Sequence, residues 1–110
     1  MTIQPKVKVS VRIPSSYITE LRELAQRDGK QYSVNDIVTT AITLYLNHGN
    51  EHEYPHTTDR YEIATFLIPI DTYNSVTTYV IQHNITLSQF IRTAIQHYLA
   101  LQHRVNGVSP

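Results

Sequence analysis

The strongest constraint on this chain is a duplication within it. Val9-Ser10-Val11-Arg12-Ile13-Pro14 recurs in form as Ala64-Thr65-Phe66-Leu67-Ile68-Pro69. Further on, Ser33-Val34-Asn35-Asp36-Ile37-Val38-Thr39-Thr40-Ala41-Ile42 recurs as Thr86-Leu87-Ser88-Gln89-Phe90-Ile91-Arg92-Thr93-Ala94-Ile95. The first match has an offset of 55 (Pro14 to Pro69) and the second an offset of 53 (Ala41 to Ala94). The first copy therefore holds two extra residues, most simply in its Gly29-Lys30-Gln31-Tyr32 turn. Similarity in unchanged order means that one small unit is used twice.

Periodicity gives both copies the same element order. Val7, Val9, Val11 and Ile13 alternate with Lys6, Lys8, Ser10 and Arg12, the pattern of a strand with one apolar and one polar face. Ile18, Leu21, Leu24 and Ala25 then repeat at helical spacing and stop near Gly29, a natural helix end. A second stripe, from Val34 through Ile37, Val38, Ala41, Ile42 and Tyr45 to Leu46, ends before Gly49. In the second copy the strand shows Ala64, Phe66 and Ile68 on one face. Its helices carry Tyr73, Val76, Tyr79 and Val80, then Leu87, Phe90, Ile91, Ala94, Ile95, Tyr98 and Leu99. Ser16 and Asp71, two residues after each Ile-Pro, are the expected helix caps. The expected division is a first unit over 1–48, a polar and acidic linker over 49–61 that holds Pro55, a second unit over 62–102 and a frayed tail over 103–110.

A unit of roughly 45 residues hides too little apolar surface to stand alone, and a lone strand leaves backbone groups unpaired along both edges. Both problems vanish if two units lay their strands side by side, antiparallel, and interlock their helices. The expected fold class is thus mainly α with a short antiparallel β-ribbon, arranged βαα–βαα. Either the two units close on each other as an intrachain pseudo-dimer, or two chains interlock as a homodimer. A linker of 13 residues reaches up to roughly 45 Å, so length does not decide. High local concentration favours the intrachain form.

Composition removes several function classes. With no Cys, disulfide scaffolds, zinc fingers and cysteine nucleophiles are excluded. Three Gly cannot build a phosphate-cradling loop. No paired carboxylates or Ser/His/Asp set stands out, so no enzymatic activity and no cofactor are expected. No signal-like or membrane-spanning run is present, and the expected location is the cytoplasm. Net charge is zero, but it is unevenly placed. Residues 1–34 hold six cations and three anions, residues 35–62 one cation and five anions, and residues 63–110 two cations and one anion. A basic front end on a neutral chain still makes a local electrostatic footprint.

The basic alternating strand, the Ile-Pro, the amphipathic helix, the Gly turn and a second helix opening with Ser or Thr together resemble the ribbon-helix-helix family of Arc, MetJ and CopG type. The resemblance covers about 8–47 and 63–101. It is most family-like in Lys8–Pro14 and in Asn84–Ile95. It implies a prokaryotic, sequence-specific double-stranded DNA-binding transcription regulator, typically a repressor, that reads the major groove with a β-ribbon. Carried over by position, the base-contacting set is Lys8, Ser10, Arg12 and Thr65. The phosphate contacts are Lys6, Ser33, Val34 and Asn35, with Thr86, Leu87 and Ser88, around the helix N-termini. The alternatives are a plasmid relaxosome or architectural accessory protein, because tandem copies also occur there, and a protein-interaction module such as an antitoxin or adaptor.

The second copy departs from the pattern. Its outward strand positions are Ile63, Thr65 and Leu67, two of them apolar where the first copy has Lys8 and Arg12. Ile63 and Leu67 are candidates for thymine-methyl contacts, for a dimer platform or for a protein partner. His48, His52 and His56 recur every four residues, but Gly49 and Pro55 interrupt any helix there, and solvated linker histidines are the expectation rather than a metal site. His83, His97 and His103 read as surface. Tyr45, Tyr73, Tyr79 and Tyr98 fall on apolar stripes, while Tyr17, Tyr32, Tyr54 and Tyr61 read as surface.

Overall fold

The computed structural model describes residues 5–27, 33–48 and 60–106. They form, in order, β1 (Lys6–Pro14), α1 (Ser15–Arg27), α2 (Val34–His48), β2 (Tyr61–Pro69), α3 (Ile70–His83) and α4 (Leu87–Asn106). The described residues are mainly helical, with one two-stranded antiparallel sheet. β1 pairs with β2 of the same chain over nine positions, from Lys6 opposite Pro69 to Pro14 opposite Tyr61. The alternating sequence sorts the side chains between the two faces. Val9, Val11, Ile13, Phe66 and Ile68 are buried on the inner face, while Lys8, Ser10, Arg12, Ile63, Thr65 and Leu67 are exposed on the outer one.

Both helices that follow a strand begin one residue after its proline. Ser16 and Asp71 are therefore already inside α1 and α3 rather than capping them. Pro69 is the N-cap of α3 and makes no side-chain cap bond. The opening amides are satisfied across the ribbon instead. Ser15 donates its backbone N–H to the Arg60 carbonyl at 2.8 Å, and Ile70 donates its own to the Pro5 carbonyl at 3.0 Å. Proline presets a φ near −65° and needs no donor at the cap, so the helix starts as soon as a neighbouring carbonyl is in reach. Asp71, in the first turn, then faces the positive end of the helix dipole.

At its other end α3 stops at Asn84, which takes a left-handed conformation (φ 56°, ψ 45°). This lets Ile85 donate to the Val80 carbonyl at 3.1 Å, as a helix C-cap requires. The corresponding turn of the first copy, with its extra residues, lies outside the described residues. So do His52, His56, Tyr32 and Tyr54. α4 runs on to Asn106, past the expected end at 102, because no residue before Gly107 opposes a helix. β2 begins at Tyr61, one residue earlier than expected.

The helices close over the inner face of the ribbon in crossed fashion. α2 packs on β2, α4 packs on β1, and α2 and α4 pack on each other. Each long helix thus covers the strand of the opposite half of the chain. Their stripes supply Ile37, Val38, Ala41, Ile42 and Tyr45, and Phe90, Ile91, Ala94, Ile95 and Leu99. Leu21 enters from α1, and Val76 and Val80 enter from α3. Phe90 lies between Tyr45 and Tyr79, both edge-on, with ring centroids 5.2 and 5.1 Å away. Such contacts add to the area term. Desolvation pushes the Tyr79 phenol above its ordinary pKa, which keeps it neutral. Among the described residues Thr93 is the only buried polar one, and no buried side-chain polar atom lacks a hydrogen bond. None of the helices among the described residues is long and apolar enough to cross a membrane.

Phe90 is fully buried and contacts rings from both halves of the chain. Phe90→Ala is expected to cost about 3–5 kcal/mol and to lower the urea midpoint of the whole chain in one transition. Separate transitions for the two halves would show that they do not share a core.

Candidate nucleic-acid interface

The outer face of the ribbon brings the expected base-contacting residues together. Ser10 and Thr65 face each other at its centre, with their hydroxyl oxygens 3.0 Å apart. Lys8 lies across from Leu67 on one side of this pair, and Arg12 lies across from Ile63 on the other. Lys8 and Arg12 are exposed, and neither makes a side-chain hydrogen bond or ion pair among the described residues. Lys6 is exposed at the end of β1, opposite Pro69. The one carboxylate on the strands, Glu62, belongs to the other face. It accepts from Ser15 Oγ at 2.6 Å and is thereby tied to the start of α1.

α2 and α4 both open with a reciprocal cap. In α2, Ser33 Oγ accepts from the Asp36 amide at 3.2 Å, and the Asp36 carboxylate accepts from the Ser33 amide at 3.1 Å. In α4, Thr86 Oγ1 accepts from the Gln89 amide at 3.1 Å, and Gln89 Oε1 accepts from the Thr86 amide at 2.9 Å. These boxes take up the cap and third-position amides. The amides of Val34 and Asn35, and those of Leu87 and Ser88, are not used by them. Such amides, at the positive end of a helix dipole, suit an anion.

Two side chains fasten these helix starts to the outer edges of the ribbon. Asn35 Oδ1 accepts from the Leu67 amide at 3.0 Å. Arg92, one turn into α4, donates from Nη1 to the Arg12 carbonyl at 2.9 Å, with its Cζ 5.7 Å from the Tyr61 ring centroid. Ser33 and Thr86 are exposed beside these edges, and Val34, Asn35, Leu87 and Ser88 are half-buried. Asn35, expected to offer an amide, thus also commits its side chain to β2.

Arg92 escaped sequence reasoning as a site residue, because its partner lies 80 positions away and its repeat counterpart is Thr39. Arg22 escaped it as well. It lines a cleft of about 340 Å³ between α1, the start of α2 and β2, together with Val34, Asn35, Glu62, Ile63 and Thr65. A cation beside the α2 amides is what a phosphate contact needs. Helical spacing gave no signal for it, since Arg22 lies on the exposed side of α1.

Of the tyrosines read as surface, Tyr17 and Tyr61 are half-buried. His83 is exposed and stacked on Tyr79 at 3.9 Å, whereas His97 is half-buried against Tyr45 at 5.0 Å. Among the described residues, no group of three His, Cys, Asp or Glu is placed to hold a metal. No family model, no curated protein and no solved structure matches this chain.

Arg92→Ala is expected to lower stability by about 1 kcal/mol, the net worth of a typical hydrogen bond, read as a shift in urea midpoint. Arg92→Lys should recover only part of the loss, since an ammonium lacks the planar fork. A midpoint unchanged by Arg92→Ala would mean that the contact with the β1 edge is not held in solution.

Proposed function

We propose that this protein is a sequence-specific double-stranded DNA-binding transcriptional regulator, acting as a repressor, which lays its ribbon in the major groove. In this reading the chain is two ribbon-helix-helix units closed on each other, cytoplasmic and without catalytic activity. The observation that carries it is the cluster of Lys8, Ser10, Arg12 and Thr65 on one exposed face of the paired strands, flanked at both edges by the starts of α2 and α4.

Each part has a physical role to play. A two-stranded ribbon fits the major groove, which is about 12 Å wide. Arg12 and Lys8 supply donors for guanine O6 and N7, while the hydroxyls of Ser10 and Thr65 both give and accept hydrogen bonds. Lys6, Arg22 and the unused amides of α2 and α4 suit the phosphates on either side, fixing register without reading sequence.

A second reading, a protein-interaction surface, is favoured by Ile63, which is 70% exposed, and by Leu67 at 38%. Against it, each lies directly across from a cation, and the cores of protein interfaces are depleted in charge.

A duplex selected from a random library by the wild-type chain provides the test, read by gel retardation. Lys8→Ala/Arg12→Ala should abolish its specific retention while leaving the circular-dichroism spectrum intact. Lys6→Ala should weaken all duplexes alike and lower the salt slope by about one. Unchanged binding by the double variant would remove the ribbon from the mechanism.

A further inference from the structure

We infer that the duplex this chain reads has no two-fold symmetry, and that guanine and thymine exchange places between its two halves. The inference rests on the DNA-binding reading above. Corresponding strand residues stand 55 positions apart, as Ser10 and Thr65 do. By the same offset Lys8 corresponds to Ile63, and Arg12 to Leu67. The register sets Ser10 directly opposite its own counterpart, so the axis relating the two strands passes through that pair.

Rotation about that axis lays Lys8 on Ile63 and Arg12 on Leu67. A cation falls on an apolar side chain each time. A ribbon of two identical strands repeats its side chains at both ends and reads a palindrome. This ribbon has Lys8 and Leu67 at one end, and Arg12 and Ile63 at the other.

A cation over the groove floor favours guanine, whose O6 and N7 both accept, and an exposed apolar side chain favours the C5 methyl of thymine. Each end therefore selects one guanine and one thymine, in opposite order relative to the axis. A dyad-symmetric sequence satisfies only one end. Lys8 and Arg12 lie four residues apart on one strand, about 13 Å. That is close to four base-pair steps of about 3.4 Å, so the two specified ends fall about four base pairs apart around a central step facing Ser10 and Thr65.

The full-length chain is offered a random duplex library, and the enriched sequence is examined for dyad symmetry. The expected site has none, and converting one half into the inverted copy of the other changes two specified base pairs and weakens binding about thirtyfold or more. Replacing the specified thymines by uracil removes only their methyls and should weaken binding about fourfold for each. Leu67→Ala should lose the sensitivity at its own end. Ile63→Lys/Leu67→Arg gives both strands the same two cations on either side of the central hydroxyl pair and should enrich a palindrome. Both positions are exposed, and circular dichroism checks that the variants stay folded. If the wild type enriches a palindrome, or uracil substitution has no effect, the inference is overturned while the DNA-binding reading stands. If no duplex is enriched at all, both fall.

Discussion

Everything in this molecule depends on the backbone ladder between β1 and β2. The ladder brings five apolar strand residues onto one inner face and so creates the surface on which four helices pack. It also supplies carbonyls that neither half could provide alone, those of Arg60 and Pro5, which receive the opening amides of α1 and α3. Remove the pairing and the helices lose both their floor and their starting points. Neither half is large enough to make up the difference from its own apolar surface.

The same pairing creates a liability, since a two-stranded ribbon has two edges and no further strand to cover them. Here the edges are occupied from outside. Asn35 meets the Leu67 amide on one and Arg92 meets the Arg12 carbonyl on the other. Because α2 and α4 cross to the strand of the opposite half, these bonds also join the halves. Edge protection, helix placement and the siting of the helix N-termini beside the exposed face are thus one arrangement.

Much of the fold was legible because its signals are local. Alternation at period two distinguished Lys8, Ser10 and Arg12 from Val9, Val11 and Ile13, and the exposed and buried sets divide along that line. Helical stripes marked the core side of every helix. The contacts that escaped are those with distant partners. Ser16 and Asp71 have the right chemistry for caps, but α1 and α3 already begin at Ser15 and Ile70, whose amides meet carbonyls from across the ribbon. Arg92 and Arg22 carry no site signal in the sequence, because the groups they meet come within reach only when the chain folds back on itself. The sequence alone also left open whether a strand pairs within the chain or with a second copy, since the linker reach allowed either.

The pairing of strands from one chain has a consequence for control. A ribbon assembled from two molecules exists only above the concentration at which they associate, and its abundance then varies with the square of the protein level when scarce. A ribbon closed by the chain itself forms by a first-order process, and dilution leaves it whole. It also frees each strand to change without altering its neighbour, whereas in a homodimer a single codon rewrites both. Ile63 and Leu67 standing where the other strand has Lys8 and Arg12 is a divergence that no homodimer can carry.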